Sequence, residues 1–164
     1  MNWLRRIRES SNYDRLKNSI EYRYERQQWI VCAVIMAIAE LLSVARVFGY
    51  GNRAPEFEVF ALILVILNMV FLPLLAYLGW RVLRIFRKID SYTFCEAVLD
   101  RPRTGYKGAV SFLVEIRTRS GATVTRETHA IFGSWDTRLE DYVNQKVIVA
   151  YNEETDTVIV VQKV

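Results

Sequence analysis

Hydrophobic positions concentrate in two long blocks in the first half of the chain. The second block, residues 59–80, has 22 residues and no charged side chain, and about 20 apolar residues suffice to span a bilayer as a helix. The first block, residues 29–48, is of similar length, but Glu40 and Arg46 interrupt it. The pattern predicts two transmembrane helices at these positions. An external turn at 49–58 joins them, since its Gly, Asn and Pro residues favour a turn.

The remainder of the chain, residues 91–164, alternates apolar and polar positions in short runs, a pattern typical of β-strands. Five strands in 74 residues predict a small β-barrel of the SH3 or OB kind, because closure of a sheet removes exposed edges. The predicted fold class is therefore membrane α + β, a two-helix transmembrane hairpin followed by a small cytoplasmic β-barrel. The strands are predicted at 92–99, 109–119, 122–132, 146–151 and 157–162, with a loop at 100–108 and a crossover at 133–145.

Apolar positions also set the register of the hairpin between the second and third predicted strands. A three-residue loop, Arg119 to Gly121 with Gly121 left-handed, places Ile116 opposite Val124. A two-residue loop would instead place Ile116 opposite Thr125, a polar partner for an apolar side chain. The three-residue loop is therefore the prediction.

The first 28 residues predict an amphipathic cytoplasmic leader, 1–28. Trp3, Leu4 and Ile7 fall on one side of a short helix and arginines surround the other, which is typical of a segment lying on an anionic membrane surface. A second apolar stripe is expected to pack on the cytoplasmic domain or on another subunit, and a frayed, solvated leader is the alternative. The stripe recurs at three- and four-residue spacing and consists of Tyr13, Leu16, Ile20 and Tyr24.

Basic residues flank the predicted membrane helices, and the formal net charge of the chain is +4. Residues 1–28 hold seven Lys/Arg against four Asp/Glu, whereas residues 91–164 hold nine basic and ten acidic side chains. A basic stalk at 81–90 follows the second helix. Because cationic flanks remain on the cytoplasmic side, the distribution predicts a multi-pass protein of the bacterial inner membrane with both termini cytoplasmic. It argues against a nucleic-acid partner.

One acidic residue, Glu40, lies within the first predicted span, where a charge costs roughly 3 kcal/mol. At a rise of about 1.5 Å per residue, Glu40 lies about 16 Å beyond Trp29, and Asn68 lies about 18 Å before Trp80. The two polar residues therefore share a depth, and a protonated Glu40 is expected to hydrogen bond with Asn68. Three interpretations remain open: a bond within the hairpin, a contact between subunits of a homo-oligomer, or a proton or ion path.

The sequence contains no pattern that indicates catalysis or metal binding. His129 is the only histidine, and neither Cys32 nor Cys95 is near it in sequence. No nucleophile triad and no glycine-rich phosphate loop can be assembled from the remaining residues. The two cysteines are expected to stay unpaired, because a reduced cytosol disfavours disulfides. The chain is therefore predicted not to be an enzyme and to use no metal or cofactor.

One basic loop with its adjoining hairpin is a candidate ligand site. Guanidinium groups beside an aromatic ring suit a phosphate with a stacked base, as in a nucleotide. Glu115 and Glu127 lie among these basic residues, so surface salt bridges are an alternative interpretation, and contact with lipid headgroups is another. The candidate ligand-binding residues are Arg101, Arg103, Tyr106, Lys107, Arg117 and Arg126.

Two stretches of the C-terminal region, VEIRTRSGATVTRET and VNQKVIVAYNEETDTVIVV, carry a resemblance to a known family. They resemble a widespread bacterial domain of unknown function that is attached to transmembrane helices and ends in a strand pair with the pattern V.V.YNP. Val147, Val149, Tyr151 and Asn152 match this pattern, and Glu153 stands in place of the proline. The resemblance implies a fold and no activity.

The order of the predicted elements is similar to that of the two-transmembrane β-barrel effectors of bacterial antiphage signalling. In that family a cytoplasmic barrel binds a cyclic nucleotide, and self-association of the hairpin then disrupts the inner membrane. The resemblance implies a ligand-sensing membrane effector. The alternative is a non-catalytic accessory or scaffold subunit that docks a larger membrane complex through a protein partner.

Overall fold

A computed structural model describes residues 3–49, 54–104, 110–118, 121–129 and 142–164. Residues 50–53 of the predicted external turn, part of the predicted loop after residue 104 and most of the predicted crossover lie outside these ranges. Residues 54–58, which were predicted to belong to the turn, are helical instead. The chain divides into two compact units, which are treated separately below. The β unit consists of Met1–Tyr24 and Arg84–Val164, and the hairpin unit is Glu25–Leu83.

Both long apolar helices predicted from the sequence are present, and each extends beyond its predicted span. Eighteen-residue windows within Ile20–Ala45 and Ala61–Ile85 have mean hydropathies of 2.0 and 2.5, so both helices are long and apolar enough to cross a membrane. The second leader helix is shorter than predicted, because it ends at Lys17 and a new helix starts at Ile20. The four described α-helices are α1 (Trp3–Glu9), α2 (Tyr13–Lys17), α3 (Ile20–Gly49) and α4 (Ala54–Ile85), and a short 3₁₀-helix spans Ile89–Ser91.

Six strands form two antiparallel sheets of three strands, ordered β1-β5-β6 and β2-β3-β4. The predicted β-rich C-terminal region is present, but a closed barrel is not shown: no ladder joins the two sheets in the described part of the chain. The strands are β1 (Tyr92–Val98), β2 (Asp100–Thr104), β3 (Val110–Arg117), β4 (Thr123–Glu127), β5 (Lys146–Asn152) and β6 (Thr157–Lys163).

The additional strand is β2, which begins the segment predicted to be a loop. Pro102 favoured the loop prediction, because proline cannot donate a hydrogen bond to a sheet. However, β2 is an edge strand, and its register with β3 shifts between Asp100 and Arg103. Edges and bulges are the positions at which a sheet tolerates proline, so the loop prediction for residues 100–104 is wrong.

The sheet β1-β5-β6 is buried on both faces. Val149 and Val160 pack in a core shared with β3, whereas their neighbours Ala150 and Ile159 pack in a second core on the opposite face. Successive strand residues point to opposite faces, so a strand covered on both sides needs a continuous apolar run. This burial accounts for the uninterrupted apolar stretches in β5 and β6.

The second core is formed with the leader and with the end of α4. Ile7 of α1 and Leu16 of α2 are buried there beside Ile85 and Phe86. The prediction that the stripe containing Leu16 packs on the C-terminal domain is therefore confirmed. The predicted membrane-facing side of α1 is corrected at Ile7, because this side chain is used inside the protein. The side chains of residues 3 and 4 lie outside the described set.

The hairpin of β3 and β4 has the register that the apolar faces predicted. Ile116 pairs with Val124, and Gly121 adopts a left-handed conformation with φ of 85°. Glycine accepts this conformation at no steric cost, because it has no Cβ atom. The prediction of a three-residue loop is confirmed.

In the hairpin unit, the N-terminal part of α3 contacts the C-terminal part of α4. A Cβ atom at Gly79 would lie 3.3 Å from Trp29 Nε1, so the glycine leaves room for the indole ring. Glu25 forms an ion pair with Arg81, and the Arg81 guanidinium lies over the Tyr77 ring at 5.8 Å. These contacts join the two antiparallel helices between residues 25–29 of α3 and residues 79–81 of α4.

Candidate functional site

The predicted ligand-binding arginines do not converge on one point of the sheet. Arg103 pairs with Ser111, and Arg117 lies six residues further along β3 on the same face, about 20 Å away. Arg126 pairs with Val114, which is three residues after Ser111 on β3. Because successive strand residues alternate between faces, Arg126 lies on the face opposite to Arg103 and Arg117. These three cations therefore cannot hold one small anion together.

The remaining members of the predicted set are described only in part. Arg101 lies in β2, but its side chain is outside the described residues, as are Tyr106 and Lys107. Arg103 Nη1 lies 3.4 Å from Glu127 Oε2, which is the surface salt bridge that the alternative interpretation predicts. A ligand-binding role for the set stays a prediction.

Arg126 instead links β4 to the turn between β5 and β6. Its Nε donates to Asp156 Oδ1 at 2.6 Å, and the Tyr151 hydroxyl donates to the same oxygen at 2.8 Å. These two hydrogen bonds hold the pKa of the Asp156 carboxyl below its ordinary value, the arginine contributing most. These bonds connect the sheet β2-β3-β4 to the sheet β1-β5-β6, which we call the central sheet.

Replacing Asp156 with Asn is expected to remove an acid-dependent part of the stability of the β unit. The folded-state pKa of Asp156 is lowered, so its contribution is present above the ordinary value near 3.8 and is lost as the pH falls below it. Asn keeps the left-handed backbone of this position, where φ is 49°. Melting temperatures measured from pH 7 to pH 2.5 test this: the wild type should lose more than Asp156→Asn. Equal losses would contradict it.

A second cluster joins the β5–β6 turn to the residues that follow α4. Ser91 Oγ donates to Glu154 Oε1 at 2.7 Å, and the Lys88 ammonium pairs with the other carboxylate oxygen. Lys88 has a left-handed backbone, with φ of 56°, at the point where the chain leaves the helix. The exit of α4 and the turn are therefore fixed to each other.

The same short segment also holds the leader. Asp90 accepts hydrogen bonds from Arg6 at 3.2 Å and from Ser10 at 2.9 Å, and Asn12 Nδ2 donates to the Ile89 carbonyl at 2.9 Å. Leader, α4 exit and β5–β6 turn thus meet around residues 88–91, which we call the junction.

Asn152, at the end of β5, contacts the junction and is completely buried, with 0% of its surface exposed. Its Oδ1 accepts the backbone N–H of Glu154 at 3.0 Å and of Thr155 at 3.3 Å, and its Nδ2 donates to the Lys88 carbonyl at 3.4 Å. Sequence reasoning did not find the junction. The signal that could have revealed it is Asn152, a polar residue between an apolar strand and a turn. Asn152 is also one of the positions that match the pattern V.V.YNP.

A cleft of about 630 Å³ opens between β1 and β3. Glu96, Asp100 and Glu115 line it together with Lys146, and its apolar floor includes Ala97. Three carboxylates against one ammonium make the cleft a poor match for the predicted anionic ligand, because like charges repel.

The predicted intramembrane pair is in the hairpin unit. Asn68 Nδ2 donates to the Leu64 carbonyl of its own helix at 3.0 Å. A hydrogen bond between Glu40 and Asn68 does not occur in the described part of this single chain. Whether the pair joins two subunits or lines an ion path stays a prediction.

Neither cysteine is in a disulfide: Cys32 is buried and Cys95 is partly buried. Among the residues described, no group of three His, Cys, Asp or Glu side chains could hold a metal ion. No protein-family model, no curated protein and no solved structure matches this chain. The two resemblances stated from the sequence therefore stay predictions.

Proposed function

We propose that the chain is a bacterial inner-membrane protein in which the hairpin unit spans the bilayer and the β unit lies in the cytoplasm. The apolar side chains of α3 and α4 support insertion, since Leu41 is 69% exposed and Met69 is 73% exposed. A core helix of a soluble protein would bury such residues, and a continuous apolar surface of this size otherwise faces lipid or a partner. The basic residues at both ends of the hairpin favour the cytoplasmic orientation.

The protein acts as a ligand-sensing effector: the β unit binds a small anionic ligand, with a cyclic nucleotide as the first candidate, and controls self-association of the hairpin. Disruption of the membrane in antiphage defence is the expected outcome. The observation that carries this proposal is that the first residues of α3 and the end of α4 belong to the β unit. The Tyr22 and Phe86 rings, one from each helix end, contact at 5.3 Å.

Such a design couples ligand binding to assembly through one packed core. A ligand shifts the equilibrium only by its difference in affinity for the two states, so it must bind one arrangement of the β unit better. Because both helix ends are built into that unit, a rearrangement there alters how the helices leave it.

The test uses the full-length protein in lipid nanodiscs of defined size. Its oligomer distribution is measured by mass photometry with and without cyclic dinucleotides, and a shift to larger assemblies is expected. Arg101→Ala and Lys107→Ala should abolish the shift, whereas Arg5→Ala, at an exposed leader cation that pairs with Glu9 and lies outside the predicted set, is the matched control and should retain it. An unchanged distribution with every cyclic dinucleotide tested would contradict the sensing role.

A scaffold subunit is the second candidate, because Arg103 and Arg126 are both engaged by carboxylates and the described cleft is acidic. These features favour a cationic protein segment over an anion. Purification of the tagged full-length chain from native membranes distinguishes the two. A stoichiometric partner, lost on charge reversal at Glu96 and Glu115, would support the scaffold.

A further inference from the structure

Glu40 and Asn68 lie at the same level of the hairpin unit. The contact between Trp29 and Gly79 places these two residues at about the same level of the antiparallel helices. Eleven residues after Trp29 along α3 comes Glu40, and eleven residues before Gly79 along α4 comes Asn68. Equal rise along both helices places the two polar side chains at matching heights.

Glu40 lies at the edge of the face that α3 presents to α4. The less exposed residues Cys32, Met36 and Ala39 mark that face. Glu40 follows Ala39 by one residue, which rotates it by about 100° around the helix axis. Leu41, the next residue, is 69% exposed, so it lies outside that face.

On α4 a shallow groove lies beside the corresponding face and contains Asn68, Met69 and Leu72. The half-buried residues Leu64 and Phe71 mark the face of α4 toward α3. Around the helix axis, the groove is rotated away from this face in the sense in which the chain winds from one residue to the next. Two antiparallel helices are related by a two-fold axis perpendicular to the plane of the hairpin. Glu40 is rotated away from the facing side of α3 in the same sense as the groove is rotated away from the facing side of α4. Both therefore lie on the same side of the plane that contains the two helices.

This shared side carries unused hydrogen-bonding capacity. Asn68 retains its Oδ1 and one amide hydrogen after its bond to Leu64. Pro73 has no N–H, so it cannot donate to the Met69 carbonyl one turn earlier. Glu40 forms no hydrogen bond within the described residues of its own chain. In lipid, polar groups of this kind find partners on neighbouring helices.

We infer that a second copy of the chain occupies this side, forming a two-fold dimer in which each Glu40 hydrogen bonds with Asn68 of the partner subunit. This inference rests on the proposed membrane insertion and self-association. A side that carries both members of a complementary pair is self-complementary, and a two-fold axis along the membrane normal brings α3 of each copy against α4 of the other. The product is a closed bundle of four transmembrane helices.

Cross-linking between two differently tagged chains tests the inference in native membranes. One chain carries Leu41→Cys and the other Met69→Cys, both in a full-length background with Cys32→Ala and Cys95→Ala. A thiol cross-linker of short reach should join the two tags. Val70→Cys is the matched control, because Val70 is exposed to a similar extent but lies on the opposite side of α4.

A second measurement uses the dissociation constant of the dimer in nanodiscs. Asn68→Leu removes two interhelical bonds per dimer and should raise this constant about 10- to 30-fold. Glu40→Gln should leave it within about threefold, because glutamine also donates to and accepts from an amide.

The outcomes separate this interface from the proposed function. Self-association that persists in Asn68→Leu, or cross-linking at residue 70 as strong as at residue 69, overturns this dimer while ligand-controlled assembly stands. A chain that stays monomeric with and without cyclic dinucleotides overturns both.

Discussion

Phe86→Ala is expected to lower the free energy of unfolding of the β unit by about 3–5 kcal/mol. Phe86 is 5% exposed and lies directly after α4. Its ring contacts the rings of Tyr13 at 5.4 Å and Tyr22 at 5.3 Å, which come from α2 and α3. Alanine would leave a cavity where the leader, the α4 exit and the central sheet meet, and the surrounding backbone segments can close it only in part.

Two readouts check this result in the full-length protein. Thermal melting followed by circular dichroism should show a lower melting temperature, and trypsin should cleave faster after Arg15 and Lys17, since the leader loses the ring contact between Tyr13 and Phe86. Leu83→Ala is the control: it removes a similar volume from α4 at an exposed position and should change neither readout. A leader that stays protected in Phe86→Ala would contradict the assigned packing.

Asn152→Ala is expected to destabilise the β unit by about 2–3 kcal/mol. The substitution leaves the part-buried backbone N–H groups of Glu154 and Thr155 without their acceptor, removes the donor to the Lys88 carbonyl, and empties the fully buried position of the Asn152 side chain. A buried polar group that loses its partner costs more than the net value of the hydrogen bond. The ion pair of Lys88 with Glu154 should loosen as well, because the turn that positions Glu154 is no longer fixed.

Thr157→Ala is the matched control for Asn152→Ala. Thr157 begins β6 beside the same turn, but its hydroxyl bond to the Thr155 carbonyl is exposed. Its loss should change the unfolding free energy by less than about 0.5 kcal/mol. Urea unfolding of both variants measures the difference, and similar midpoints for the two would show that Asn152 does not hold the junction.

The sequence was sufficient where hydrophobic periodicity and turn chemistry agree. The two long apolar helices, the β5–β6 hairpin around residues 152–156 and the pairing of Ile116 with Val124 were all predicted and are present. The strand β2 was missed, because Pro102 signals a loop unless the strand is known to lie at an edge. The central sheet was missed too, because an apolar run does not reveal what covers its second face.

The site was less accessible than the fold from the sequence. Charge counting grouped Arg103, Arg117 and Arg126 because they are near in sequence, whereas strand alternation and pairing separate them onto two faces and two ends of a sheet. The junction depends on contacts between residues far apart in the chain, such as Arg6 with Asp90 and Lys88 with Glu154. No local pattern encodes such pairs.

The two-sided burial of the central sheet has a consequence for biosynthesis. Ile7 packs in the core that contains Ile159, yet the ribosome makes these residues almost an entire chain length apart. Until β6 emerges, Ile7 lacks part of the core that covers it, and under the proposed membrane insertion the bilayer is the nearest alternative apolar surface. If the hairpin inserts as proposed, the amphipathic pattern of α1 would serve the nascent chain at the membrane surface, whereas the finished fold buries Ile7 inside the protein.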